Sequence, residues 1–336
     1  MFNRAVRLAV GAVVWVVVAL ASQAQAINIV FDYTYDTGDF FGNAQAQASL
    51  NKAGTFFSNL ITDQLSAIST PAPLVSSLPP ENDPGTFTWA WSANFNNPAT
   101  GTQTVLNDPT IAADEYRIYV GARSLAGDVA GQGGPGGLGF NFGTTSGSFF
   151  TQEEIDQIDA ASAAFEAAIT TRGKASGFQS WGGALTFDND GTTDWSYDSE
   201  SPVAAGTVDF YSVALHELGH ALGLGGSDQW EALIAMAGDD AYFLGAAAQA
   251  VYGDPVPVYA TDLAHWNEGV SSHIYGVGTA QEAAMDPTIT DGTRKLFTDL
   301  DVAALSDIGW TIPEPASLCL IAVGTFLVVG RRRAGV

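Results

Sequence analysis

The chain has only four histidines, and all of them lie between positions 216 and 273. Two of them, His216 and His220, belong to the segment HELGHALG at residues 216–223. On a helix, residues four apart lie on one face, one turn from each other. Two imidazoles at that spacing can bind one tetrahedral metal ion, and Glu217 beside them can accept a proton from a water molecule that the metal polarises. The pattern therefore predicts a zinc site with hydrolytic chemistry.

The residues around this motif predict a buried helix that starts near Asp209. The apolar positions are Phe210, Val213, Ala214, Leu215, Leu218 and Leu222. A carboxylate is costly to bury without a compensating charge, and a metal cation supplies that charge. Gly223 fits a left-handed turn that ends the helix and returns the chain toward the metal. The alternative interpretation is a helix whose histidines and glutamate have only a structural role.

HELGHALG resembles the metzincin clan of zinc endopeptidases, whose pattern is HExxHxxGxxH or HExxHxxGxxD, followed later by a methionine turn under the metal. The resemblance implies that His216 and His220 are metal ligands and that Glu217 is the catalytic general base. It also implies that Gly223 is the turn glycine. The third-ligand position of the pattern falls on Gly226, which has no side chain. The chain departs from the clan pattern at that point.

A catalytic zinc site needs a third protein ligand. Four residues are candidates for that role: Asp228, Asp262, His265 and His273. The chain also resembles the leishmanolysin-like branch of the clan, which places its third histidine far downstream, after an insertion and shortly before the methionine turn. That resemblance favours His265, with residues 227–260 as the insertion and Met285 as the floor beneath the metal, near the site without binding it.

The N-terminus predicts export. Arg4 and Arg7 precede the apolar run 8–20, and Ala24-Gln25-Ala26 forms a small-residue cleavage pattern. Residues 1–26 are therefore expected to be a secretory signal peptide that is absent from the folded protein.

The C-terminus carries a second processing signal. Pro313-Glu314-Pro315 is followed by an apolar stretch, residues 316–330, and then by three arginines. Residues 313–336 resemble the PEP-CTERM sorting signal of Gram-negative bacteria, which implies an exosortase-type sorting machinery as a partner. The simpler alternative is a plain membrane anchor. We expect a periplasmic, cell-surface or extracellular protein that this transmembrane segment anchors transiently.

The charge of the remaining body, residues 27–312, is strongly negative. It holds seven basic and 35 acidic side chains, a formal charge of −28. Such a surface repels nucleic acid and anionic membranes. The single cysteine, Cys319, lies in the C-terminal tail, so no disulfide stabilises the body, and its stability must come from core burial and bound metal.

The element pattern predicts an α+β fold, a metzincin-like zincin domain with a twisted mixed sheet and the metal-binding helix. We assign residues 27–312 to this catalytic domain, with an N-terminal subdomain of about 27–224 and a mainly irregular C-terminal subdomain of about 225–312. Strands are predicted at 27–35, 87–95, 116–120 and 184–188, and helices follow the capping residues Asn43 and Thr151. A helix is also expected within Tyr242–Tyr252, and a closing helix within 300–309. Leu125–Ser148, with nine glycines, is predicted to be a flexible loop.

Two further sites are predicted near the fourth strand. Ala184–Asp188 is expected to be the exposed edge strand that binds an extended protein or peptide substrate. Asp188, Asp190 and Asp194 offer oxygen ligands for a calcium ion, although an Asp-rich turn is equally typical of a hairpin.

The sequence thus predicts a secreted zinc-dependent endopeptidase with Glu217 as general base. The alternative is a surface-displayed matrix or adhesion protein that keeps zinc only for stability. Retention of Glu217 favours the enzyme, because a structural zinc site needs no general base.

Overall fold

The structure is a computed structural model and describes residues 27–313. The predicted signal peptide and the apolar tail, residues 314–336, lie outside them. The helices are α1 (Ala44–Leu60), α2 (Gln152–Thr171), α3 (Phe210–Ala221), α4 (Asp228–Glu231), α5 (Ala246–Tyr252) and α6 (Asp299–Asp307). The strands are β1 (Asn28–Asp32), β2 (Leu74–Val75), β3 (Thr86–Asn96), β4 (Gln103–Asn107), β5 (Glu115–Arg123), β6 (Gly131–Pro135), β7 (Gly137–Ser146), β8 (Gly182–Asp188), β9 (Trp195–Ser196), β10 (Val208–Asp209), β11 (Ile234–Ala237), β12 (Asp240–Phe243), β13 (Val256–Val258), β14 (Ser271–His273) and β15 (Ala280–Glu282).

A four-stranded mixed sheet in the order β1-β5-β8-β6 supports the metal-binding motif. The first three strands are parallel, and β6 runs antiparallel to β8. Alternate residues of β5 are buried on opposite faces, with Ile118 and Val120 against α1 and α3 and Tyr119 against a second sheet. A strand buried on both faces is typically a continuous apolar run, and the centre of β5, residues 118–122, has this pattern. The mixed α+β class predicted from the sequence is confirmed.

The second sheet is built on β3, which pairs with β2 and β4 and, over most of its length, with β7. Along β3, Trp89, Trp91 and Phe95 point inward, as the alternation predicted, and pack against the first sheet and α2. Trp181, fully buried between the layers, donates its indole N–H to the Gly137 carbonyl oxygen at 2.8 Å.

The predicted helix starts are confirmed by their caps. Asn43 accepts hydrogen bonds from the first turn of α1, and Thr151 forms a capping box with Glu154 at the start of α2. The Asp209 carboxylate accepts the Ser212 N–H at 3.0 Å and caps α3. Asp209 also forms an ion pair with Arg294 at 2.8 Å. The start of α3 is therefore fixed by both local capping and a distant segment.

Two sequence expectations about the sheet were wrong. The glycine-rich segment within Leu125–Ser148 is not a flexible loop, because most of it forms β6 and β7. For the same reason Ala184–Asp188 is not an edge, since β8 lies between β5 and β6. In the part of the chain that the structure describes, β6 pairs only with β8, so β6 is the edge strand on this side of the sheet and β1 is the edge strand on the other.

The segment expected to be helical over Tyr242–Tyr252 divides into two elements. Its first residues belong to β12, the middle strand of the sheet β11-β12-β13, and only Ala246–Tyr252 is helical. Phe243 is fully buried against Trp230 and Trp266, so tertiary packing keeps the first residues in a strand, and the helix is confined to the alanine-rich residues that follow.

Among residues 27–313, no helix has the length and apolarity needed to cross a membrane. The anchor expected at residues 316–330 lies outside the described residues, so a transmembrane segment is not supported here.

The carboxylate of Asp301, on the last helix α6, connects several segments of the C-terminal third of the fold by hydrogen bonds. It is fully buried and accepts five hydrogen bonds of 2.7–3.2 Å. The donors are the backbone N–H groups of Ala284, Met285 and Thr298, the Thr298 hydroxyl and the Trp266 indole N–H. Burial raises the pKa of Asp301, and the backbone bonds oppose that shift.

We predict that Asp301→Asn lowers the free energy of unfolding by about 2–4 kcal/mol, because an amide has a single acceptor oxygen and turns its own N–H groups toward donors. Urea denaturation measures this loss. The matched control is Asp299→Asn, on the same helix but without these contacts, which should change stability by less than about 1 kcal/mol. Equal stability of the two variants would contradict the assignment.

Candidate metal centre

Three of the four histidines converge on one point. The Nε2 atoms of His216 and His220 are 3.0 Å apart, and the Nε2 atom of His265 lies 3.2 Å from the first and 3.1 Å from the second. His216 and His220 come from one face of α3, and His265 comes from the loop after β13. The side chains are half-buried, with the Nε2 triangle at their centre.

The contacts of the Nδ1 atoms, which point away from the triangle, determine which nitrogen of each ring carries the proton. The Nδ1 atoms of His216 and His220 contact the carbonyl oxygens of Ala284 and Leu224 at 2.8 and 2.9 Å. The Nδ1 atom of His265 contacts the Asp262 carboxylate at 2.8 Å. Carbonyl and carboxylate oxygens only accept, so each neutral ring carries its proton on Nδ1 and leaves Nε2 as an acceptor.

Three acceptor atoms therefore face one another with no proton between them. Burial lowers the pKa of His220 to about 4 and that of His216 well below its usual value, and the neighbouring imidazoles act in the same direction. Burial therefore disfavours the protonation that would relieve the repulsion of the three lone pairs. A bound cation would also relieve it, and neutral imidazole is a preferred ligand of zinc.

The triangle has the dimensions of a zinc site. Zn–N bonds of about 2.0–2.1 Å in a tetrahedron place the nitrogens about 3.3 Å apart. The observed separations of 3.0–3.2 Å are close to that value. Three protein ligands leave the fourth tetrahedral position for water or substrate, which is the arrangement of catalytic rather than structural zinc sites.

The other candidates for a third ligand lie outside the triangle. His273 is exposed on β14, and Asp228 begins the short helix α4. Asp262 contacts the His265 ring on the side away from the other histidines. The structure thus brings together the three histidines that the sequence analysis favoured, and their role as ligands remains a prediction.

Glu217 follows His216 on α3 and lies under strand β6. Its side chain is 6% exposed. Burial raises its pKa to about 8, and a backbone contact with Gly133 opposes the shift. A Cβ added at Gly131 would come within 2.7 Å of a Glu217 carboxylate oxygen, and one at Gly133 would collide with the Glu217 carbonyl oxygen. The glycines of β6 are needed because this strand lies directly against the carboxylate.

Met285 lies against the opposite side of α3. It is fully buried, and a Cβ added at Gly219 would come within 2.6 Å of its sulfur. The same turn supplies the Ala284 carbonyl oxygen to the His216 ring, and the Met285 carbonyl oxygen accepts the Trp266 N–H at 2.9 Å. The turn therefore contacts both the helix and the residue next to His265.

The predicted calcium site is not supported. The Asp188 carboxylate accepts the Leu125 N–H and the Thr193 hydroxyl, and Asp190 accepts the Thr192 N–H. Among residues 27–313, the groups with clustered metal-binding atoms do not include these aspartates. They stabilise the turn after β8, as the simpler interpretation held.

A second group of clustered carboxylates, Glu268, Glu282 and Asp286, lies near the methionine turn. Lys295 lies against two of its members, with Nζ at 2.7 Å from each Asp286 carboxylate oxygen and 3.0 Å from Glu282. Burial raises the pKa of Asp286 to about 7, which the lysine opposes. An internal cation already occupies this position.

Sequence reasoning missed three contributors to the site: the glycines of β6, Asp262 as a partner of His265, and Asp301. The alternate glycines in Gly131-Gln132-Gly133 were a usable signal, since glycine inside a strand marks a close approach of another group. Asp301 had no comparable signal, because an acidic residue in a first helical turn is common.

A three-histidine cluster with a buried glutamate beside it, on an α+β scaffold, defines a candidate zinc hydrolase. Residues 149–240 match the family described as Matrixin, which belongs to the metzincin clan. Residues 311–333 match the PEP-CTERM protein-sorting motif. The resemblances to the metzincin clan and to the PEP-CTERM signal are confirmed, and the resemblance to the leishmanolysin-like branch stays a prediction. No curated protein and no solved structure matches the chain. The matrixin match includes α3 and ends before His265.

Gly219→Ala is predicted to weaken the centre, because its methyl group must displace the Met285 sulfur from beneath α3. We expect a loss of about 1–3 kcal/mol in unfolding free energy, together with weaker zinc binding. The control is Gly226→Ala, where an added Cβ meets nothing within 4 Å. Thermal unfolding and zinc titration of both variants provide the measurement, and an effect at Gly226 equal to that at Gly219 would refute the packing argument.

His265→Ala is predicted to abolish zinc retention after dialysis, because two histidines leave the ion under-ligated. His273→Ala and Asp228→Ala should each retain one equivalent. Metal content by atomic spectroscopy distinguishes the three variants. Loss of zinc from the Asp228 variant with retention by the His265 variant would reverse the assignment.

Proposed function

We propose that the protein is an exported zinc-dependent endopeptidase whose ligands are His216, His220 and His265. The observation that carries the proposal is the triangle of Nε2 atoms 3.0–3.2 Å apart, each on a ring whose Nδ1 atom contacts an oxygen acceptor, together with the buried Glu217 next to His216. The matrixin match supports a metallopeptidase, and the PEP-CTERM match supports export and surface sorting.

The proposed peptide hydrolysis uses the metal ion and the side chain of Glu217. A bound zinc ion supplies Lewis acidity, which lowers the pKa of water and polarises a peptide carbonyl group. Glu217 accepts the proton of the attacking water and then delivers it to the leaving amine. Burial favours the protonated form of Glu217, and the charge of a bound dication would favour the carboxylate that accepts the proton.

The edge strand β6 is the proposed binding surface for the substrate backbone. It has one free edge within the described residues and lies directly over Glu217. An extended peptide that adds to this edge by backbone hydrogen bonds is held beside the three histidines. Larger side chains on β6 would separate such a peptide from the carboxylate. The glycines therefore allow close approach of the substrate as well as of α3.

Glu217→Gln is predicted to retain one equivalent of zinc and to lower the turnover of casein or gelatin by about 10²–10⁴-fold, because only the proton transfer is lost. A chelator should abolish cleavage by the wild-type protein, and added zinc should restore it. The control is Glu231→Gln on α4, which should retain full activity.

The alternative, a surface-displayed matrix or adhesion protein with a structural zinc site, gives a different result. It predicts one equivalent of bound zinc, no cleavage of either substrate, and no effect of Glu217→Gln beyond stability. That outcome would overturn the proposed peptidase activity and leave the metal site intact.

A further inference from the structure

Each histidine of the centre is held by a different kind of partner. His216 and His220 donate to backbone carbonyl oxygens, whereas His265 donates to the carboxylate of Asp262 at 2.8 Å. Asp262 is thus the one side chain among the three Nδ1 partners. We infer that Asp262 is a positioning residue that fixes the ring of His265 and strengthens zinc binding through its charge. This inference rests on the proposed function, since it requires a zinc site.

The carboxylate of Asp262 is itself held in place. One oxygen, Oδ1, accepts the Ala264 N–H at 2.9 Å, while Oδ2 accepts the Nδ1–H of His265. Both contacts lie within one short loop, which is closed by a hydrogen bond of 2.8 Å from the Tyr259 N–H to the His265 carbonyl oxygen. The orientation of the carboxylate therefore determines the orientation of the ring.

The loop is anchored at its strained point. Leu263 has a φ of 60°, a left-handed conformation that is strained for a residue with a Cβ. Its carbonyl oxygen accepts the indole N–H of the fully buried Trp230 at 2.8 Å. Next to it, Ala264 packs against Gly225, where a Cβ would collide with the Ala264 carbonyl oxygen. Surrounding contacts hold Asp262 and His265 in an arrangement that the loop alone would not favour.

The charge of Asp262 has a function that a carbonyl oxygen lacks. A carboxylate on the outer nitrogen increases the basicity of the inner nitrogen and offsets part of the charge of a bound dication. Loss of such a partner typically weakens metal binding 10–100-fold. His265 is also the ligand that gains most from it, because a helix fixes the other two and a loop carries this one.

The test is zinc affinity of the purified exported protein by competition with a chromogenic chelator. We expect Asp262→Ala to weaken zinc binding about 10–100-fold and Asp262→Asn to weaken it less, because the amide oxygen still accepts the Nδ1–H but carries no charge. The control is Asp254→Asn, an exposed aspartate of the same inserted segment, which should bind zinc like the wild type.

A spectroscopic measurement separates positioning from loop stability. With only four histidines in the chain, the Nδ1–H protons of the zinc-loaded protein can be assigned by ¹⁵N-labelled imidazole NMR. The proton shared with a carboxylate should resonate downfield of the two on carbonyl oxygens. Asp262→Asn should move it upfield and leave those of His216 and His220 in place.

The possible outcomes separate the inference from the function on which it rests. If the wild-type protein binds no zinc, the proposed function fails. If the wild type binds zinc and Asp262→Ala binds it equally well, or if the His265 proton does not move in Asp262→Asn, only the role of Asp262 is overturned.

Discussion

The metal centre depends on the mutual orientation of three imidazole rings. Each ring has its outer nitrogen bound to an oxygen acceptor, so each inner nitrogen offers a lone pair to the same point at separations of 3.0–3.2 Å. Neutral acceptors at that distance repel one another, and burial disfavours the protonation that would relieve the repulsion. A dication changes this repulsion into coordination, and metal binding is therefore coupled to the stability of the folded state.

The surrounding fold brings distant segments to this point through buried polar groups. Asp301 binds the two N–H groups of the methionine turn and the indole of Trp266, the residue after His265. The same methionine turn supplies the carbonyl oxygen that accepts the Nδ1–H of His216. A single carboxylate thus links the position of His265 to that of α3. A buried charge with five donors is stable only as a complete network, so the loss of one donor affects the whole arrangement.

The local parts of the site could be predicted from the sequence, and the edge of the sheet could not. Helix α3, its cap Asp209 and the spacing of His216 and His220 follow from short-range patterns, and His265 followed from the resemblance to one branch of the clan. The glycine-rich sequence of β6 predicts a loop because glycine has low strand propensity. Its structure depends on pairing with β8, about 50 positions away, and its glycines lie against Glu217, more than 80 positions away. Single-sequence patterns do not report such contacts.

His220 and His265 are far apart in the sequence, so other contacts must hold the loop that carries His265. In the clan pattern the third ligand falls six residues after His220, at Gly226, whereas His265 is 45 residues away. By the logarithmic dependence of loop closure on length, that change costs about 2 kcal/mol of entropy. The inserted segment has its own core to offset the cost. Trp230 stacks on Phe243 with ring centroids 4.4 Å apart and lies 5.0 Å from Trp266. Burial of these aromatic side chains stabilises the fold by several kcal/mol. These contacts stabilise the segment between His220 and His265, and Gly226 has no side chain that could bind a metal ion.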